Sequence, residues 1–331
     1  MALINKIPRT TADTSVEGME VQQTHCKKTV VAAFADSSLE NVIRRFRHEA
    51  TQSGWFDEVY IYTEKDLDFH FQEKHGAFIK ANKRGYGYWI WKPYIVNRTL
   101  ELLNDNDILL YLDIGFVINY SGEKRFRYYI ELIESHDIVC FDNGKLEKDW
   151  DKGDVIDYFN VRNNEDIMNS EQIMSGIFFV RKNKSTHEIF RKWLEITSNH
   201  YNLIDDTPSI SDNLEGFKEN RHDQSVFSLL LKQQDRVIQL PSTEVEVDWQ
   251  YRKKGYRTYV RFWGKPFLAI RDRKGHIYDQ RQDSILHHLR YMWCKFRNDF
   301  HDYKQKKKKK KDNAKYYNSN IQQPRGNQEN I

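Results

Sequence analysis

The stretch "TVVAAFADSSLENVIRRFRHEA", residues 29–50, changes its period half-way along. Residues 29–35 form an apolar run between polar ends, the pattern of a strand buried on both faces. From Leu39 onward, Leu39, Val42, Ile43, Phe46 and Ala50 recur at helical spacing, with Arg44, Arg45 and Arg47 turned outward. Between the two periods lie Asp36, Ser37 and Ser38, residue types that cap helix N-termini. Strand, cap and amphipathic helix make half of a βαβ unit.

The same alternation continues downstream. "EVYIYT" (58–63) reads as a second strand, and a helix from about Pro93 to Leu103 leads into "DILLYLD" (107–113). "DIVCFD" (137–142), "GIFFVRK" (176–182) and "RVIQLP" (236–241) read as further strands, and "STHEIFRKWLEIT" (185–197) and "DQSVFSLLLKQQ" (223–234) as amphipathic helices. This order predicts an α/β fold, with a mainly parallel central sheet flanked by helices in a Rossmann-like arrangement. The aromatic and basic segment "WQYRKKGYRTYVRFWGKPFLAIRD" (249–272) follows neither period.

With 19 Phe, 19 Tyr and 8 Trp the chain has ample apolar surface for one large core, so a folded domain over residues 28–300 is expected. A polar, aperiodic leader (1–27) precedes it and a lysine-rich tail (301–331) follows. The formal net charge of +4 belongs to that tail, where Lys304 and Lys306 to Lys311 crowd together. Nine of the 52 basic and two of the 48 acidic side chains fall in residues 304–331, which leaves 43 basic against 46 acidic residues before them. An acidic body argues against specific nucleic-acid binding, and the tail reads as a solvated segment open to peripheral contact with anionic membrane. Cys26, Cys140 and Cys294 form no C-x-x-C pair, which suits a reducing compartment. With no apolar run of membrane-spanning length and no signal-peptide layout, a cytoplasmic location is expected.

In open parallel sheets, ligands bind beyond the carboxyl ends of the strands. Three predicted strands end there in a carboxylate: Asp36, Asp113 and Asp142. Asp113 stands out because the apolar strand "LLYLDIG" delivers one acidic side chain and then Gly115, where a backbone or ligand can approach closely. A carboxylate beside apolar strands needs a partner, and a hard divalent cation that also holds phosphate oxygens is one. The alternative is an aspartate capping its own turn. Asp223 at the start of "DQSVFSLLLK" likewise reads either as a favourable charge at a helix N-terminus or as a general base.

The blocks "RGYGYWIWKPYI" (84–95), "DILLYLDIG-x-x-IN" (107–119) and "RHDQSVFSLL" (221–230) together resemble a group of GT-A-fold glycosyltransferases found in bacterial surface-polysaccharide clusters and in large DNA viruses. The resemblance covers residues 28–295. It implies a transferase that moves a hexosyl or deoxyhexosyl unit from a nucleotide-sugar donor, with UDP as the expected nucleotide, to a glycan acceptor. A nucleotide-sugar-binding half (28–120) would precede an acceptor half (121–300).

The resemblance also implies roles for single residues. Ala35 and Asp36 would touch the donor, Arg84 and Lys92 would neutralise its diphosphate, and Tyr88, Trp89 and Trp91 would wall the sugar pocket. Asp113 matches the first carboxylate of a D-x-D motif that holds Mn²⁺ or Mg²⁺. The second position is Gly115, so a further metal ligand is expected from "SILHHLR", with His287 ahead of His288. In an inverting enzyme Asp223 would be the base, supported by Gln224; in a retaining one it would position the sugar. Asp142 and Glu171 are reserve candidates. Two other classes compete: a nucleotidyltransferase, which would need a glycine-rich loop that "AFADSSLEN" lacks, and a nucleic-acid-binding protein that uses the tail and residues 250–265.

Overall fold

A computed structural model describes residues 27–246 and 264–275, together with Phe300, Tyr303, Lys304 and Lys307. The chain divides into two compact units, Met1–Glu246 with Phe262–Tyr278, and Val247–Arg261 with Asp279–Ile331. The first holds the site below. In the second, the described residues are the helical Phe300, Tyr303, Lys304 and Lys307. Residues 1–26 of the expected leader and most of the expected tail lie outside the described residues. Among the described residues no helix is long and apolar enough to cross a membrane.

The strands are β1 (Thr29–Phe34), β2 (Glu58–Tyr62), β3 (Ile108–Leu112), β4 (Val117–Ile118), β5 (Ile138–Leu146), β6 (Glu171–Arg181), β7 (Val237–Leu240) and β8 (Phe267–Leu268). The helices are α1 (Glu40–Ser53), α2 (Phe69–Ala81), α3 (Gly85–Tyr88), α4 (Trp91–Glu101), α5 (Glu123–Ser135), α6 (Glu147–Trp150), α7 (Gly153–Tyr158), α8 (Glu165–Met168), α9 (Lys184–Asn199), α10 (Tyr201–Ile204) and α11 (Asp223–Leu231). Six strands form one sheet in the order β2-β1-β3-β6-β5-β7, while β4 and β8 pair separately. Only β6 runs against its neighbours, so the sheet is mainly parallel, as the alternation predicts.

Side-chain alternation sends each strand to two cores. Val30, Ala32, Leu109, Tyr111 and Phe178 pack under α2, α4, α9 and α11, and Val31, Ala33, Leu110, Leu112 and Phe179 under α1 and α5. Burial on both faces explains the unbroken apolar runs. Leu109 and Tyr111 point to the first core, so the same alternation carries Asp113 to that side, where α4 and α11 arrive.

Three local features depart from the sequence pattern. Helix α1 is capped by Leu39 with no side-chain bond, and Asp36 instead accepts from Ser38 N at 2.9 Å within its own turn. Arg45, expected outside, is buried: its guanidinium meets Glu49 at 2.8 Å and donates to the carbonyls of Ile114 (2.6 Å) and Phe116. It thereby ties α1 to the loop after β3, in a place helical periodicity assigns to solvent.

The third departure is α3, where Gly85, Tyr86, Gly87, Tyr88 and Trp89 all have positive φ (58°, 56°, 82°, 52° and 61°). Tyr88 N and Trp89 N bond to Arg84 O and Gly85 O, so this is a left-handed turn. Left-handed backbone costs an L-residue roughly 1–2 kcal/mol. Tyr88 packs under the sheet with its hydroxyl on Asp206, and Trp91 stacks on Phe34 at 3.9 Å while its indole N–H bonds Gly85 O. These aromatics hold the turn that starts α4. A methyl group on Gly87 would lie 2.7 Å from Ile79 Cγ1. Gly87→Ala should therefore lower stability by about 1 kcal/mol from backbone strain and a further ~1–3 kcal/mol from overpacking, read as a lower urea midpoint at constant m-value.

Candidate active site

The site is assembled around the ammonium group of Lys92. Helix α4 carries it inward until the side chain is 3% exposed, 3.4 Å from Asp113 Oδ1 and 3.3 Å from Asp223 Oδ2. Ser175 Oγ accepts from Lys92 Nζ at 3.1 Å and donates to Asp223 Oδ2 at 2.8 Å. Tyr111 donates to Asp113 Oδ1 at 2.7 Å. Each carboxylate thus commits one oxygen to the lysine. Asp113 Oδ2 and Asp223 Oδ1 carry no hydrogen bond among the described residues, and the Asp113 side chain is 39% exposed.

A distortion in β6 brings Ser175 into this group. Cys140 and Asp142 of β5 pair with Phe178 and Ile173 of β6, so four residues of β6 (174–177) stand against Phe141 alone and β6 bulges relative to β5, while Ile177 stays paired with Leu112 of β3. Bulges re-aim side chains next to functional sites. Here the bulge turns Ser175 toward Lys92 and sets Gly176 beside Asp113, where any Cβ would fall 2.8 Å from Oδ2.

Burial opposes the charge on Lys92, but Asp113 and Asp223 together raise its pKa above the ordinary lysine value. Burial also raises the Asp223 carboxyl, against the pull of Lys92 and Ser175. One ammonium facing two carboxylates leaves a formal charge of −1. Below them Gln172 links the site to a buried acidic pair. Gln172 Nε2 donates to Asp151 at 2.7 Å, and burial with the neighbouring Glu147 pushes the Asp151 pKa well up.

Other expected site residues fall elsewhere. Lys92 does not stand open to a diphosphate, because its charge is enclosed between two carboxylates. Gln224 does not bond Asp223; its amide donates to Gln172 Oε1 at 2.6 Å and accepts from Ser175 N, which fixes the bulge. Arg84 pairs with Asp206 (3.4 Å) and Glu219 (3.7 Å). Asp36 is exposed, with its carboxyl held below the usual value by Ser38, and Ala35 N is bonded to Tyr62 O in the sheet. Asp142 is buried, its Oδ1 accepting from Ser242 N (2.9 Å) and Gly144 N (3.2 Å), and it raises the Glu171 pKa by sharing a hydrogen bond. Both read as structural. Trp89 lies half-buried near His222.

For a metal, the donors in the described part are few. A Cβ at Gly115 would lie 3.2 Å from Arg271 Cα, and Gly115 O accepts from Asp272 N at 3.0 Å, so that position serves backbone packing. Asp272 is buried beside Arg45 at 3.8 Å. Among the described residues no three His, Cys, Asp or Glu come together as a metal site, and His287 and His288 lie outside them. Among the described residues the site would offer a cation the single oxygen Asp113 Oδ2, and its remaining ligands would have to be water, phosphate oxygens or residues outside the described ones.

No family model and no curated protein matches the chain. Among solved structures, a glycosyltransferase involved in glycosylation of the major capsid of PBCV-1 is 12% identical over 66% of this chain and 84% of that one, with a TM-score of 0.37. The galactosyltransferase LgtC is 14% identical over 66% and 74% (TM-score 0.36), and a mannose-6-phosphate isomerase from Helicobacter pylori 11% over 65% and 97% (TM-score 0.33). All three scores are below 0.5, so the fold stands on its own strand order and the site on its own geometry.

Sequence reasoning missed Ser175, Arg45 and the Gln172–Asp151 link. Replacing Lys92 by Met should cost about 3–5 kcal/mol at pH 7, because Asp223 is left buried without its counter-ion. The cost should shrink as pH falls and Asp223, its pKa raised by burial, takes up a proton; a loss that does not change with pH in urea melts would contradict the ion triad. Burial raises the Glu49 pKa from 4.5 to about 7. Its contribution is therefore complete below the unfolded value and lost as pH rises through about 7. Glu49→Gln should flatten the fall of the urea midpoint between about pH 5 and 8.

Proposed function

We propose that this protein is a glycosyltransferase that moves a sugar from a nucleoside-diphosphate donor, with UDP the first nucleotide to try, to a glycan hydroxyl with inversion. The observation that carries this reading is the lysine-bridged pair Asp113 and Asp223 at the carboxyl end of a mainly parallel sheet, each with one oxygen free of hydrogen bonds among the described residues, Asp113 part-exposed and Asp223 buried. The motif resemblance supports the same assignment.

In this reading Asp113 and Asp223 divide the work. The acceptor oxygen attacks the anomeric carbon, the bond from that carbon to the diphosphate oxygen breaks, and the leaving diphosphate keeps the electron pair. Asp223 Oδ1 takes the acceptor's proton as the new bond forms, a role its raised pKa suits. Lys92 and Ser175 hold the other Asp223 oxygen, so the carboxylate presents one face only. Asp113 Oδ2 faces the donor, and a Mn²⁺ or Mg²⁺ ion bound there would supply positive charge for the developing diphosphate. Gln224 acts through Ser175 as a positioning residue.

Incubation with a panel of nucleotide sugars, each with and without Mn²⁺, and mass-spectrometric detection of released nucleoside diphosphate tests the reading. Wild type should turn over at least one donor in the presence of an acceptor glycan. Asp223→Asn should lower kcat by about 10²–10⁴-fold while donor binding persists, and Asp113→Asn should weaken donor binding itself. Turnover of no donor, or full activity in Asp223→Asn, would overturn it.

A further inference from the structure

A cluster of cations lies beside the acidic site and is not explained by it. Lys145 Nζ sits 3.6 Å from the Trp150 ring centroid, and Lys218 Nζ and Arg221 Cζ lie 5.5 Å from the same ring. Lys218 is neutralised by Asp149 at 2.7 Å, and Arg221 Nη1 by Glu219 at 2.6 Å. Lys145 has no carboxylate within ion-pair distance among the described residues. Burial and the neighbouring Arg221, Arg271 and Lys218 lower its pKa, against a smaller opposing pull from Glu219. Lys218 and Arg221 already have carboxylates, so Lys145 is the cation around this indole ring that an incoming anion would neutralise, with Arg221 beside it to add to the attraction.

The cluster is joined to the site by short links. Arg221 N donates to Ser225 Oγ at 3.0 Å, and Ser225 Oγ donates to Trp150 O at 3.2 Å. Arg221 stands two residues before Asp223, and Lys145 lies on β5 two residues past Asn143, which donates to Gln172 at 3.3 Å. Arg271 packs its backbone on Gly115, two residues past Asp113.

We propose that Lys145 and Arg221, gathered on Trp150, form an oxyanion subsite that receives a phosphate or carboxylate group of a substrate. The inference rests on the transferase reading for its substrate class: the anion is either the donor's diphosphate or an acidic group on the acceptor. It reassigns to Lys145 and Arg221 the charge neutralisation that the sequence suggested for Arg84 and Lys92.

Calorimetric titration of the full chain with inorganic pyrophosphate, UDP, uridine and glucuronate tests it, using wild type, Lys145→Ala, Lys145→Arg and the exposed control Lys80→Ala. Pyrophosphate affinity should fall tenfold or more in Lys145→Ala and be kept in Lys145→Arg and Lys80→Ala. If the donor's diphosphate is the ligand, UDP weakens with pyrophosphate while uridine is unchanged; if an acidic acceptor is, glucuronate weakens and UDP does not. Wild type that binds none of the anions, or Lys145→Ala that binds them all as wild type does, overturns the subsite. Should Lys145→Ala misfold, Lys145→Gln takes its place. Anion binding lost in the variant of a protein that turns over no donor would leave the subsite standing and remove the transferase reading. Unchanged KM in Lys145→Ala would do the reverse.

Discussion

The buried ammonium of Lys92 is the constraint on which the rest of this site depends. Enclosing a lysine charge is tolerable only when the opposing charges are close and the remaining donors are satisfied. Asp113, Asp223 and Ser175 meet that condition from β3, α11 and β6, three elements far apart in sequence. Removing the lysine would therefore set two carboxylates against each other at the meeting point of the sheet and two helices. Lys92 takes only one oxygen from each aspartate, so the second oxygen of each stays without a hydrogen bond among the described residues.

The scaffold around this ion group is built to hold it. The left-handed turn Gly85–Trp89 sets the start of α4, and hence the point from which Lys92 enters. The β6 bulge supplies Ser175, and Gln224 fastens the bulge through Ser175 N. On the opposite core, Arg45 grips the carbonyls of Ile114 and Phe116, in the loop that follows Asp113, with Glu49 at 2.8 Å and Asp272 at 3.8 Å from its guanidinium. Backbone strain and buried charge are both costs: the strained turn lies directly before Lys92 on α4, and the buried charges of Lys92 and Arg45 lie on either side of the segment that carries Asp113.

Much of the fold was legible because it depends on local periodicity. The unbroken apolar runs at residues 29–35 and 108–112 mark doubly covered strands, and α1, α9 and α11 follow their apolar stripes. Asp113 and Asp223 were legible as carboxylates at a strand end and a helix start. What local pattern could not show is which charges meet. Lys92 and Arg84 look alike as basic residues flanking an aromatic block, yet one is buried against Asp113 and Asp223 and the other is half-exposed against Asp206 and Glu219. Arg45 sits on a polar stripe by helical spacing and is buried all the same, because the β3–β4 loop folds over it. Gly115, a missing carboxylate in the motif, is accounted for by the backbone of Arg271 and Asp272 lying against it.

The central claim is that Lys92 is a fixed internal counter-ion and Asp113 the residue that faces the donor. A crystal structure of the protein with UDP and Mn²⁺, with anomalous diffraction recorded at the manganese edge, tests this most directly. The account predicts an anomalous peak bonded to Asp113 Oδ2 and to diphosphate oxygens, with Lys92 still between Asp113 and Asp223. A nucleotide bound away from Asp113, or a Lys92 side chain swung out to the phosphates, would contradict it.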